Sequence, residues 1–442
     1  MRTAVVGAGI AGLAAAREIT KAGGEAVVFE AADYIGGRIK TVRHHGFQFD
    51  VGAFIYLGSY HQATDMMREV GLTKQMTKVP AYGAMPRNGE LHYLDLSKPV
   101  RTVGGTKYLS TANKIRLGKL IWQLARHWKD LNYIDASGVA QIDTDTVESW
   151  CRRELNQDLL DYIGAVVVRG PWLSDPSYAS YGQLLWTLKN FFVPYFYGLD
   201  GGMDALPRAM AAGINMRLST PVRHVADTGG GVEIETDSGT ELFDNAVITA
   251  TTAKALEIYP QLDGFAREYY EQTNYICSVN THIALSCKPA NPATYIMCSP
   301  REQPDMCGVI VDHFKAGNRV PEGKGMITVF CRHEWCLEYL EAPEEEILEQ
   351  VLRFVAPYYG DLSDAVEHVE IGRWREVVPI MKKGRFKAVD RFMKSVDPDA
   401  RVQLAGDLGP IPGVNGALVS GTMAGRRLAA QKKVGKVTLD GC

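Results

Sequence analysis

The sequence predicts an α/β fold. Three features carry that prediction: a strand, glycine loop and helix within the first thirty residues, a glycine pair at 36–37, and a strand, acidic turn and helix after residue 400. Thr3 to Val6 is a short apolar, β-branched run. Gly7-Ala-Gly9-Ile-Ala11-Gly12 follows, then a helical stretch from Leu13 to Lys21, then a second strand from Ala26 to Phe29 that ends at Glu30. Each part suits a dinucleotide. Gly7 permits the tight turn, Gly9 lets backbone meet a pyrophosphate, and Gly12 lets helix and strand pack closely. The helix N-terminus offers free N–H groups and a positive dipole end. Glu30 is placed to accept hydrogen bonds from a ribose diol. The unit is Rossmann-like, but alone it does not separate NAD from FAD.

The bulk composition fits this. The 442 residues are 46% hydrophobic and 22% charged, as in ordinary globular chains. A net charge of -3 gives no electrostatic reason for a nucleic-acid partner. The eight cysteines are scattered and form no disulfide framework. Met1-Arg2 runs straight into an apolar strand with no leader pattern, so a cytoplasmic chain with reduced thiols is expected. No stretch is apolar enough to predict a membrane span.

The next residues sharpen the ligand. Ala31-Ala-Asp-Tyr-Ile-Gly36-Gly37-Arg38 continues from Glu30, and Phe49-Asp50-Val-Gly52-Ala53-Phe54 follows. Here the sequence resembles the flavin amine oxidase superfamily, which includes monoamine and polyamine oxidases, protoporphyrinogen oxidases and phytoene desaturases. The resemblance implies FAD, with Gly36, Gly37 and Arg38 near its flavin end and pyrophosphate, and Ala53 and Phe54 in a flavin-adjacent segment. At the far end, Arg401-Val-Gln-Leu-Ala-Gly406-Asp407 and Ile411-Pro-Gly413-Val414-Asn415-Gly416 resemble the family's C-terminal flavin signature. That implicates Gly406, Asp407 and the Val414-Asn415 backbone, at a helix running to about Lys432. A helix N-terminus there suits the negative charge of a reduced flavin. Gly201-Gly202-Met203 resembles the family's helix start, and Val222 matches the residue whose backbone contacts adenine.

These pieces predict a discontinuous, Rossmann-like FAD-binding domain over 1–75, 200–255 and 365–442. A substrate domain of mixed sheet and helices, α+β in character, is expected over 76–199 and 256–364. Met216 to His224, Val232 to Thr236 and Leu242 to Thr251 read as strands of one small sheet. Ser110 to Trp128, Thr144 to Glu154, Tyr181 to Phe192 and Pro343 to Phe354 read as helices. Ser278 to Ser286, Met306 to Asp312 and Met326 to Cys331 read as strands.

The catalytic residues are less sharply marked. A flavin carries the redox chemistry itself, so no protein acid or base is required in every case. Relatives that oxidise amines often place a Lys beside the flavin; the matching strand here reads Cys277-Ser-Val-Asn280-Thr-His282, without one. Gly413 stands where those enzymes often have Tyr. Both departures point toward the protoporphyrinogen oxidase and desaturase branch. Trp374, the first catalytic-site candidate, lies in a segment resembling the family's Trp-x(4)-Pro and packs against the isoalloxazine, walls the pocket or fills core. His282 is a catalytic proton acceptor, a pocket polar group or a core histidine, and Tyr56 reaches the active site as a catalytic candidate or packs internally. Arg169 binds a substrate carboxylate or forms an interior salt bridge. Phe191-Phe-Val-Pro-Tyr-Phe-Tyr197 offers aromatic contacts to a substrate or to the core. Cys331-Arg-His333-Glu-Trp-Cys336, on an expected strand end, lacks a fourth ligand for metal. Lys107 to Lys129 is a basic amphipathic helix, read as solvated on one face rather than lying on a membrane. The expectation is an FAD-dependent oxidase or dehydrogenase. It would take two hydrogens from a C–C or C–N bond of a modest-sized, partly apolar or aromatic substrate, and pass electrons to O2 or another acceptor. An amine oxidase without the usual Lys and a flavin-dependent isomerase stand as alternatives, and the oligomeric state is open.

Overall fold

A computed structural model describes residues 1–95, 97–193, 195–316 and 318–437. Five parallel strands form the first layer, in the spatial order Asn215–Arg217, Glu25–Phe29, Arg2–Val6, Asn245–Ile248 and Val402–Leu404. Three distant chain segments therefore build one sheet. Its central strands are buried from Thr3 to Val6 and throughout Asn245–Ile248, because both faces are covered. The Ile10–Lys21 helix packs against the long Val414–Val437 helix. Gly421 permits the close approach, since a Cβ there would lie 2.0 Å from the Ala11 carbonyl oxygen.

The second layer is a seven-stranded mixed sheet, in the order Val366–Trp374, Ser278–Leu285, Gly325–Cys331, Met306–Val311, Tyr295–Met297, Tyr82–Arg87 and Glu90–Asp95. Ser278–Leu285 and Gly325–Cys331 are buried throughout. The helices His333–Glu338 and Glu344–Tyr359 belong with this sheet and share its apolar core.

Several expected elements are corrected. Met216 to His224 is two elements: Ser219, at φ +48°, and Pro221 break it into Asn215–Arg217 and Val222–Asp227. Leu242 to Thr251 likewise divides at Asp244, whose carboxylate accepts from the Arg2 backbone N–H at 2.6 Å. The first half of each pair joins a different sheet from the second. Val222–Asp227, Val232–Thr236 and Gly239–Phe243 form their own antiparallel sheet. His333 lies on a helix rather than a strand end. The helix expected from Thr144 starts at Val147, where the Thr146 hydroxyl caps it by accepting from Ser149 N–H. The helix after Pro343 runs on to Tyr359 and stops at Gly360. Among the described residues, no helix is long and apolar enough to cross a membrane.

Candidate active site

A cavity of about 840 Å³ runs from the glycine loop into the mixed sheet. Gly7 turns the chain at φ +105° and donates its N–H to Phe29 O at 2.7 Å, locking the loop to the second strand. Gly12 does not line the cavity. It holds the loop against the helix, since a Cβ there would meet the Gly7 oxygen at 2.0 Å. The Glu30 carboxylate accepts from Ala8 N–H at 2.7 Å and Ala32 N–H at 2.9 Å, and lines the cavity between them. Ala11, Gly36, Gly37, Ala53, Phe54 and Val222 also line it.

The far end of the chain closes this half. Asp407 accepts from Arg38 at 2.7 Å with one oxygen and from Gly413 N–H at 2.8 Å with the other. Arg38 also donates to Val377 O at 2.6 Å. Gly406, Asp407, Gly413 and Val414 line the cavity where the Val414–Val437 helix begins. That helix has no acidic residue of its own in its first turn; the carboxylate that meets its start is Asp407, which it shares with Arg38. Asn415 is turned away from the cavity: it donates to Gln62 and accepts from Ala63 N–H at 3.0 Å, pinning the helix start to the His61–Glu69 helix.

The residues present fit a flavin dinucleotide. A Cβ built on Gly9 or Gly413 meets no atom within 4 Å, so the backbone there faces open cavity. Two helix N-termini converge on the same space, as two phosphates and a flavin anion require.

Beyond the cofactor half, the cavity is walled by rings. Phe54 and Phe330 sit 4.3 Å apart between centroids, Phe196 and Tyr295 5.9 Å, and Trp172 and Trp186 6.0 Å. The polar groups on this wall are few: Ser278, Asn280, Thr187, Asn190, Trp374 and the hydroxyls of Tyr60 and Tyr295. Trp374 donates its indole N–H to Val51 O at 2.6 Å, which fixes the ring at the cavity edge. The Ser278 hydroxyl donates to Asn280, and the Asn280 amide reaches Val51 O at 3.4 Å. Among the described lining residues the lysine is Lys254, paired with Glu257 at 2.6 Å and set beside Val222.

Two residues considered for catalysis sit elsewhere. His282 shares a strand face with Ser278 and Asn280, but there Phe49 covers it and it is fully buried. Thr328 gives its one proton to Asp312, so it accepts from His282 Nδ1 at 2.7 Å and leaves Nε2 without a partner. Burial pushes the His282 pKa down to about 4, helped by Lys315 and Arg319 and opposed by Asp312, so the ring is neutral at pH 7. Tyr56 is also fully buried, its hydroxyl donating to Met203 O at 3.0 Å. Neither reaches the cavity. Arg169 is buried away from the cavity lining; among the described residues it pairs with no carboxylate and donates to the carbonyls of Gln303 and Pro304. In the aromatic stretch, Phe191 and Phe196 line the cavity and Phe192 faces solvent; Pro194 lies outside the described residues. His333 Nδ1 accepts from Cys277 N–H at 2.9 Å, and no metal-holding group occurs among the described residues.

Sequence reading missed Phe330, Trp186, Tyr295 and Tyr60 as wall residues. Their signal was weak, because an apolar ring on a strand or helix looks the same whether it faces core or cavity.

This fold and site define an FAD-dependent oxidoreductase. The chain belongs to the flavin-containing amine oxidoreductase family, whose signature matches residues 10–429. It is 28% identical over 256 residues to a Mycobacterium tuberculosis protein named as a flavin-containing monoamine oxidase, AofH, covering 53% of each chain. It is 28% identical over 200 residues to protoporphyrinogen oxidase 2 of Arabidopsis thaliana, covering 43% of this chain and 37% of the relative. The matches thus span about half or less of these relatives. Among solved structures, cyclohexylamine oxidase from Brevibacterium oxydans superposes with a TM-score of 0.79 at 15% identity, covering 98% of this chain and 99% of that one. A protoporphyrinogen-oxidase-like protein from Exiguobacterium gives 0.77 at 18%, covering 97% and 99%.

Proposed function

We propose that this oxidoreductase removes two hydrogens from a modest-sized, partly apolar substrate, in the manner of the desaturating branch of the family. The observation that supports this is the chemistry of the substrate wall: paired rings, a few neutral polar groups, and no lining carboxylate or lysine beyond the cofactor half among the described residues. The lining acids Glu30 and Asp407 are tied to backbone or to Arg38, and Glu376 lies beside Arg375 and Val377 near that pair. A cationic amine has no carboxylate to meet there.

FAD, when bound, supplies a hydride acceptor at flavin N5. The protein's part is to bind and orient. The rings of Phe54, Phe330 and Trp374 exclude water and hold the reacting carbon at a short distance. Asn280 and Ser278 offer hydrogen bonds to a carbonyl or hydroxyl on the substrate. Electrons leave to O2 or another acceptor.

A second reading is an amine oxidase without the usual lysine, favoured by the ring pairs, which can surround an ammonium or amine group. Product analysis separates the two. Holoenzyme is incubated with cyclic ketones, porphyrinogens and primary amines, and products are weighed by mass spectrometry. Loss of two hydrogens from a ketone or porphyrinogen supports the proposal. Deamination alone supports the second reading, and a product of unchanged mass would point to an isomerase.

A further inference from the structure

The outward face of the Thr111–Arg126 helix is unusual. Its inward face buries Asn113, Leu120 and Leu124, as an amphipathic helix should. Its outward stripe, however, is not simply polar. Ile115 is 75% exposed and Trp122 55%, spaced with Lys119 and Arg126 along one side of the helix. Ile121 and Trp128 add to the same surface, and Trp128 meets Phe192, itself 52% exposed, edge to face at 5.6 Å. Six of the eleven exposed large apolar residues among those described, counting Ile134 in the following loop, gather here.

The helix segment itself carries charge of one sign, with carboxylates at its margin on Asp130, Asp135 and Glu154. From Lys107 to Lys129 there are six lysines and arginines and no aspartate or glutamate. Lys119 pairs with Glu154. Among the described residues, Lys107, Arg116, Arg126 and Lys129 pair with no carboxylate, and Arg126 instead lies over the Trp122 ring at 5.4 Å. Exposed tryptophans and isoleucines interleaved with unpaired cations are the composition of a helix that rests in a lipid interface.

We propose that this face docks the protein on an anionic lipid bilayer, with Ile115, Trp122, Trp128 and Phe192 entering the headgroup region and the basic residues meeting lipid phosphates and carboxylates. Charge complementarity selects this occupant. A second copy of the chain would bring the same positive charge to the interface. The patch ends beside the cavity, because Phe191 lines it and Phe192 is the next residue. Docking thus sets the cavity wall close to the acyl region, which suits an apolar substrate, although docking itself does not depend on that reading.

The test is sedimentation of holoenzyme with phosphatidylcholine vesicles, with and without phosphatidylserine, at low and high salt. The protein is expected to pellet with phosphatidylserine vesicles at low salt and to be released by high salt. Ile115→Ser with Trp122→Ser, and separately Arg116→Gln with Arg126→Gln, each lower the bound fraction roughly tenfold or more while flavin content stays unchanged. Absence of binding to anionic vesicles at low salt would overturn the proposal, as would equal binding by either double variant. A wild-type dimer that the same substitutions dissociate in sedimentation velocity would overturn it too.

Discussion

The guanidinium of Arg38 holds the carboxylate of Asp407 at 2.7 Å, and this pair joins the two ends of the chain at one point on the cavity wall. Burial opposes the charge on Arg38, but Asp407, Tyr275 and Glu376 outweigh it, and the pKa moves upward. Arg38 therefore stays cationic beside the space that a pyrophosphate would fill. The other Asp407 oxygen holds Gly413 N–H, so the same pair sets the start of the long helix.

Breaking this pair should cost both stability and cofactor. Asp407→Ala leaves Arg38 without its anion and frees the Gly413 turn. A loss of about 3 kcal/mol in stability is expected, at the low end for a buried pair because Arg38 is partly exposed. Thermal unfolding and the FAD retained through gel filtration measure it. Wild-type retention in Asp407→Ala would remove the pair from the cofactor site.

The two glycines of the first loop should fail differently. Gly9 has ordinary extended backbone, φ -70°, and open space where a Cβ would go. Gly9→Val should fold with near wild-type stability yet bind FAD at least tenfold more weakly, because its side chain enters the phosphate space. Gly12→Ala drives a Cβ into the Gly7 oxygen and should lower the yield of folded protein itself. Chemical denaturation with and without FAD distinguishes them.

His282 predicts a pH dependence. Its folded pKa is about 4, against 6.5 for a solvent-exposed histidine, so the unfolded chain binds the proton more readily between those values. The stability from its neutral ring is therefore full above pH 6.5 and lost as pH falls toward 4, by about 3 kcal/mol. His282→Asn should flatten that part of the profile, seen as a smaller difference in denaturation midpoint between pH 7 and pH 4.5. Substrate turnover at pH 7.5 should survive in any variant that folds. Loss of turnover with intact FAD binding would return His282 to the active site.

Trp374 predicts a positioning effect. Trp374→Phe keeps a ring but leaves Val51 O with only the long Asn280 contact. A loss of about 1 kcal/mol in stability from the missing hydrogen bond and a fall in kcat/KM of roughly tenfold from the displaced ring are expected, with FAD content unchanged. A fall in FAD content instead would place the ring's role with the cofactor.

The cofactor half was legible because backbone demands leave marks in sequence. Gly7 must turn, Gly12 must vanish, and Asp407 must sit just before a helix. The substrate half was not legible, because facing is a tertiary property. His282 and Asn280 lie two residues apart on one strand face, yet one is under Phe49 and the other in the cavity. Tyr56 and Tyr60 likewise divide between core and cavity, with nothing local to tell them apart. The two long strand expectations failed at Ser219 and Asp244, where the chain leaves one sheet for another. Apolar pattern alone does not report which sheet a strand joins.

The most direct test of the central claim is anaerobic titration of the holoenzyme, followed by the visible absorbance band of oxidised flavin. The account predicts that a cyclic ketone or porphyrinogen with a C–C bond to desaturate bleaches the band and that primary amines leave it unchanged. Bleaching by amines alone, or purified protein that takes up no FAD, would contradict it.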